Sequence, residues 1–140
     1  MRYLTDSHTM KAVDNCSIHE FGIPSVVLME RAALGVSAFL RKTAGKDNKK
    51  TCMKVVCVCG SGNNGADGLA AARQLNENGI EVHVVLVGTS QGTDEYRLQK
   101  SIVSNLGIDC AEYDGNIDFS EYDYIIDAIF GIGLSRIIEG

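Results

Sequence analysis

Met53-Lys54-Val55-Val56-Cys57-Val58-Cys59 runs directly into Gly60-Ser61-Gly62-Asn63-Asn64-Gly65-Ala66-Asp67-Gly68. The first segment is short, β-branched and almost wholly apolar. That is the pattern of a central strand in a parallel sheet, buried on both faces. The second segment is a glycine-rich turn, and Gly68 to Asn78 after it reads as a helix closed by Asn78-Gly79. Gly60, Gly62 and Gly65 match G-x-G-x-x-G. In that setting the helix N-terminus offers free N–H groups and a positive dipole end to an anion. Glycines let the backbone approach a pyrophosphate closely.

The pattern continues on both sides. Val82 to Val87, Ile108 to Tyr113 and Asp123 to Phe130 read as further strands, with a helix from Asp94 to Leu106. Strand and helix alternate, which predicts a Rossmann-like three-layer αβα domain with a mostly parallel sheet. Two helices precede the first strand. One covers about 6–20, capped by Asp6 or Ser7. The other runs from Ser25 to about Thr43 and is apolar around most of its circumference, which predicts burial on more than one side.

The ordinary dinucleotide fingerprint is incomplete. It expects an acid at the end of the second strand to hold a ribose hydroxyl. That strand ends Leu86-Val87-Gly88-Thr89, and Glu81 stands at its start. No Gly-Lys-Ser/Thr follows the turn, so it is not a Walker A loop. The turn instead carries Asn63, Asn64 and Asp67. Asp67 reads equally as a helix cap or a ligand contact. One Asn suits a left-handed turn residue, and two together suggest side-chain carbonyls offered to a ligand or cation.

Asp127 lies inside the fourth apolar strand, between Ile126 and Ala128. A carboxylate there is costly to bury unless paired or solvated. With strands ordered 3-2-1-4, the first and fourth are neighbours, and the reversal of winding opens a crevice at their C-terminal ends. Asn64 and Asp127 are then expected to face one cleft, with Gly131-Ile132-Gly133-Leu134-Ser135-Arg136 along its rim. Carboxylate, amide and carbonyl oxygens together suit a hard cation.

Composition narrows the class. The 140 residues are 45% hydrophobic and 22% charged, with 15 Gly and 1 Pro, which excludes a mainly disordered chain. Net charge is −5 and basic residues form only short pairs such as Lys49-Lys50, so a nucleic-acid partner is not expected. Apolar runs are too short to span a bilayer and the N-terminus has no apolar signal region, so no membrane role is expected. The five cysteines, Cys16, Cys52, Cys57, Cys59 and Cys110, form no C-x-x-C pair. They read as reduced thiols in a cytoplasmic protein. Cys57 and Cys59 are two apart and share a strand face.

Three stretches carry a resemblance. They are Gly22 to Ala32 (Gly-Ile-Pro-Ser-Val-Val-Leu-Met-Glu-Arg-Ala), Cys59 to Gly68, and Asp127 to Leu134, with Tyr3-Leu4-Thr5, Met10 and Asp14 also fitting. On these the chain resembles the YjeF N-terminal domain family over essentially its whole length. Ala66 and Ile132 depart from the family's usual Gly and Thr. The resemblance implies a Rossmann-like fold with a two-helix N-terminal extension. It implies interconversion of the R and S epimers of hydrated NADH and NADPH, a repair step feeding a dehydratase that is often fused C-terminally, and a homodimer. It places Asn63, Asn64, Gly65, Ala66 and Asp67, and Gly131, Ile132, Gly133, Leu134, Ser135, Arg136 and Ile137, against the substrate. Asn64 and Asp127 would bind a potassium ion. Asp127 is the candidate catalytic acid/base, although a potassium-bound carboxylate is held ionised and would only position the substrate. The alternative is a catalytically inactive YjeF-like scaffold that binds a ligand or another protein. An ordinary oxidoreductase is disfavoured by the missing ribose acid and the lack of Tyr-x-x-x-Lys. Residues 1–140 read as a single domain of this type. Four strands end by Phe130, and about ten residues are too few for another crossover. The expectation is therefore the first two-thirds or so of a longer domain, lacking the family's Asp-x-Pro-Ser-Gly segment.

Overall fold

The computed structural model describes residues 5–44, 53–88, 91–132, 134 and 137. The elements in order are α1 (Ser7–His19), α2 (Ser25–Ala44), β1 (Lys54–Gly60), α3 (Asn63–Glu77), β2 (Glu81–Val87), α4 (Asp94–Asn105), β3 (Asp109–Glu112) and β4 (Tyr124–Ala128). A short 3-10 helix, Phe119–Glu121, lies in the connection between β3 and β4. The four strands are parallel in the order β3-β2-β1-β4, as the hydrophobic pattern predicts.

β1 is central, and its composition explains why. Val55, Val56, Cys57 and Cys59 are fully buried. Alternation sends Val55, Cys57 and Cys59 to one face, into a cluster with Leu69 and Leu75 of α3 and Val103 of α4. Val56 and Val58 point the other way and meet Val85, Ile117 and Tyr122. Thus α3 and α4 cover one face, and residues of the β3–β4 connection pack on the other. This change of side follows from right-handed crossovers once the winding reverses after β3. The two cysteines share a face, as predicted. Burial pushes the Cys57 thiol well up and the Cys59 thiol up to about 12, so both stay neutral packing groups.

Three expectations are corrected. First, α3 begins at Asn63 rather than Gly68. A Cβ on Gly65 would stand 1.6 Å from the Gly60 carbonyl oxygen. The absent side chain lets the first helical turn sit directly on the end of β1. A Cβ on Gly68 would likewise meet the Ala128 Cβ at 2.5 Å and the Cys59 Sγ at 2.8 Å. Second, Gly62 is the N-cap, so Asp67 is inside the helix, and no non-glycine residue among those described adopts positive φ. Third, α2 is buried along one stripe, Met29, Ala33, Ser37 and Leu40, which faces α3. Val27, Leu34 and Phe39 on its other sides are exposed.

Polar groups tie α2 to α3 and α4. The Glu30 carboxylate accepts hydrogen bonds from Arg73, from Gln74 Nε2 at 2.8 Å and from Gln99 Nε2 at 3.4 Å. Gln74 and Gln99 are both buried. Burial raises the proton affinity of Glu30, but these donors outweigh it and hold its pKa below the ordinary value. At the start of α1, Asp6 is the cap, accepting from the Thr9 N–H at 2.7 Å.

Candidate functional site

The C-terminal ends of β1, β2 and β4 open into a cavity of about 1230 Å³. The register sets Gly60 beside Val87 and Cys59 beside Ala128, so these strand ends are level. α1 and the start of α2 form the opposite wall, through Met10, Asp14, Ser25 and Leu28. A volume of this size suits an extended ligand such as a dinucleotide.

The floor is the glycine-rich turn. The first intrahelical bond of α3 runs from the Ala66 N–H to the Gly62 carbonyl, and no side chain caps the helix. Its leading N–H groups and positive dipole end are thus available at the cavity, as an anion requires. The turn is braced from both sides. A Cβ on Gly60 would stand 2.3 Å from the Ile129 carbonyl oxygen, so the β1 and β4 ends meet backbone to backbone. The Thr93 N–H donates to the Ser61 carbonyl at 3.1 Å, which joins the β2–α4 loop to the same turn.

The residues singled out in the sequence divide into groups. Asn63, Asn64, Asp67, Gly131, Ile132 and Leu134 all line the cavity. Gly131 approaches Asn64 so closely that a Cβ there would lie 3.1 Å from the Asn64 Cβ. Gly65 and Ala66 are buried beneath the turn, and the Ala66 methyl enters the hydrophobic core. The family's usual Gly is therefore replaced here without obstructing the cavity. Ile137 is 86% exposed. Gly133, Ser135 and Arg136 lie outside the described residues.

Asp127 does not sit where the sequence suggests. It is exposed, and it is not among the residues lining the cavity. Strand alternation turns Ala128 toward α3 and Asp127 away from it. Its Oδ1 accepts the Ile129 N–H at 3.0 Å.

Asp67 is one of three carboxylates lining the cavity, with Asp14 and Glu95. It is half-buried in the first turns of α3, and among the described residues no hydrogen bond or ion pair engages it. Burial, joined by the negative charge of Asp14 on α1, pushes its pKa up to about 6. A group with that proton affinity exchanges a proton readily near neutral pH. Asp14 stood out in the sequence only as a residue fitting the family resemblance, with no role assigned; the fold brings it to the same cavity as Asp67.

Potassium is tested by the chemistry of the donors. Asn64 offers an amide oxygen beside Gly131, and Asp127 has one oxygen tied to Ile129. Asp127 is thus bonded to the segment from Ile129 to Gly131, and Asn64 lies close against its Gly131. Amide, carboxylate and main-chain carbonyl oxygens are the donor types that suit a hard cation.

Comparison with known proteins places this arrangement. The family model described as YjeF-related protein N-terminus matches residues 25–140. Among similar proteins, one from Oenococcus oeni named NAD(P)H-hydrate epimerase is 41% identical over 129 residues, covering 91% of this chain and 58% of that protein. One of the same name from Limosilactobacillus fermentum is 41% identical over 132 residues, covering 94% of this chain and 60% of its own length. The chain therefore spans about three-fifths of the length of these relatives. The crystal structure of yeast ynu0 superposes with a TM-score of 0.86 at 24% identity, covering 99% of this chain and 60% of that one, which supports the fold. No helix among the described residues is long and apolar enough to cross a membrane. A parallel sheet ordered β3-β2-β1-β4, a Gly-x-Gly-Asn-Asn-Gly turn on its central strand and a matching family model together show that the chain belongs to the YjeF-related N-terminal family.

Proposed function

We propose that the chain interconverts the R and S epimers of hydrated NADH and NADPH. The observation that carries this reading is the Asp67 carboxyl, half-buried in a dinucleotide-sized cavity beside an uncapped helix N-terminus. The names of the similar proteins from Oenococcus oeni and Limosilactobacillus fermentum support it. No observation favours an inactive scaffold.

The chemistry follows from these residues. The reacting carbon bears a hydroxyl and adjoins a ring nitrogen. In one route a proton passes to the hydroxyl oxygen and water leaves as the nitrogen lone pair forms C=N⁺. Water then adds to the opposite face and returns a proton. In the other route the hydroxyl proton is removed as C=O forms, the ring carbon–nitrogen bond breaks with its electron pair going to the nitrogen, which takes up a proton, and reclosure on the other face returns that proton and restores the bond and the hydroxyl. Either route needs one group that gives and retakes a proton at that oxygen. Asp67 is assigned this role, and burial, joined by the charge of Asp14, keeps its proton affinity high. The N–H groups at the start of α3 hold the pyrophosphate, while Asn63 and Asn64 orient the neighbouring sugar and ring.

Potassium would be held by Asn64 and Asp127. When bound it would supply positive charge and order to the segment from Ile129 to Gly131. This separates the two roles that the sequence joined in Asp127: the cation keeps that carboxylate ionised, and the proton is carried by Asp67. The S epimer would pass to an ATP- or ADP-dependent dehydratase. A second copy of the chain would cover the exposed Val27, Leu34 and Phe39 of α2.

The test supplies the R epimer of NADPH hydrate with an S-specific dehydratase. Added protein is expected to drive consumption of the R epimer, and Asp67→Asn to slow it about 100-fold or more. Consumption no faster than without protein refutes the reading.

A further inference from the structure

The sequence shows no acid at the C-terminal end of β2, where dinucleotide-binding domains hold the adenosine ribose. The structure brings one there from the next element. Glu95, in the first turn of α4, lines the cavity beside Val87, Gly88 and Thr93. Its position is fixed. Its Oε1 accepts the Ser25 hydroxyl of α2 at 2.7 Å, and Thr93 just before it is bonded to Ser61 of the glycine-rich turn. Gly92, with φ +75°, sits where a Cβ would stand 2.4 Å from the Tyr96 ring and 2.7 Å from the Ser61 carbonyl oxygen, so the backbone just before α4 lies close on the glycine-rich turn. The hydrogen bond from Ser25 holds the Glu95 pKa below its ordinary value, so this carboxylate is ionised at neutral pH.

A dinucleotide laid across the crevice has its pyrophosphate over the start of α3. One half then lies toward Asn64 and Gly131 on the β4 side, and the other toward Gly88 and Glu95 on the β2 side. If the reacting ring lies on the β4 side, near Asn64, the adenosine falls on the β2 side. There the Glu95 carboxylate, which still has acceptor capacity beyond the Ser25 hydroxyl and its own N–H, suits a ribose 2′-hydroxyl donor and repels a 2′-phosphate. Lys11 of α1 is the one cation among the described lining residues, and it forms no ion pair with Glu95 among them.

We propose that Glu95 selects the coenzyme form, favouring the hydrate of NADH over that of NADPH. This rests on the epimerase reading, and two assays keep the two claims apart. Binding is measured by calorimetry with 5′-AMP and with adenosine 2′,5′-bisphosphate, for the wild-type protein and Glu95→Gln. The amide can still accept from Ser25, and an unchanged melting temperature confirms that the variant is folded. Wild type is expected to prefer 5′-AMP about tenfold. Glu95→Gln is expected to reduce the preference toward parity by improving binding of the bisphosphate. Equal wild-type affinities, a preference for the bisphosphate, or a ratio that Glu95→Gln leaves unmoved overturns the proposal. Turnover of the two R hydrates should follow the same ratio. A protein that discriminates the two nucleotides but turns over neither hydrate leaves the Glu95 assignment standing and refutes the epimerase reading.

Discussion

Gly65→Ala is the sharpest probe of how the helix and strand meet. A Cβ at this position would lie 1.6 Å from the Gly60 carbonyl oxygen, and the Gly60 carbonyl carbon would be at 2.6 Å. Both atoms belong to the backbone of the central strand and cannot rotate aside. An ordinary carbon–oxygen contact is about 3.3 Å, so the first turn of α3 must lift by roughly 1.7 Å. That turn is anchored by Ala66 and Leu69, both fully buried in the main cluster. Lifting it opens the core, at a cost of about 3 kcal/mol or more. Near this chain length that lowers Tm by about 10 °C. The same movement carries Asn63, Asn64 and Asp67 out of place, and a shift above 1 Å costs about 100-fold in activity. Gly62→Ala is the control: nothing lies within 4 Å of its Cβ position, so a loss below about 1 kcal/mol is expected. Urea denaturation of both variants decides the matter. A Gly65→Ala loss under about 0.5 kcal/mol, or a loss equal to that of Gly62→Ala, refutes the close seating of α3 on β1.

Asp67 and Glu30 give opposite responses to pH. The Asp67 pKa of about 6 exceeds its ordinary value of 3.8, so the native state binds more protons between these pH values. Stability contributed by Asp67 therefore falls as pH rises through that window. Asp67→Asn is expected to raise Tm at pH 8 and give no gain at pH 4. The pH–rate profile should break near pH 6, lose the break in Asp67→Asn, and shift it to lower pH in Asp14→Asn. Glu30 is held below its ordinary 4.5, so its contribution is present above that value and lost as pH falls through the lowered one. Glu30→Ala removes the shared acceptor of Arg73, Gln74 and Gln99. It should cost about 2–3 kcal/mol in urea denaturation after discounting for its partial exposure. Asp94→Ala, which breaks the exposed pair with Arg97, should stay within about 0.5 kcal/mol.

The sheet was legible because β1 is apolar at every position that packs. Its order followed from strand–helix alternation and the winding rule. β3 read as weaker, and it is a four-residue edge strand with little burial. The start of α3 was hidden because Asn-Asn between glycines looks like a turn. The contact that makes it helical, Gly65 on the Gly60 carbonyl, links the turn to the strand end and has no local signature. α2 misled for a related reason, since an apolar helix does not reveal which of its faces the chain itself covers. The carboxylates were the hardest to judge. Asp127 amid Ile126 and Ala128 suggests burial, yet alternation on β4, an edge of the sheet among the described residues, turns it outward. Asp67 near a helix start suggests a cap, yet α1 closes over it and adds Asp14. Glu95 was invisible as a β2-end group because it arrives from the helix after β2.

Chromatographic separation of the two NADPH hydrate epimers, with no dehydratase present, tests the central claim most directly. Starting from the pure R form, the protein is expected to bring the mixture to its equilibrium ratio at a rate proportional to enzyme. Asp67→Asn should leave the R form nearly unchanged over the same interval. R hydrate that persists with the wild-type protein as it does in buffer, or Asp67→Asn acting at the wild-type rate, would contradict the account.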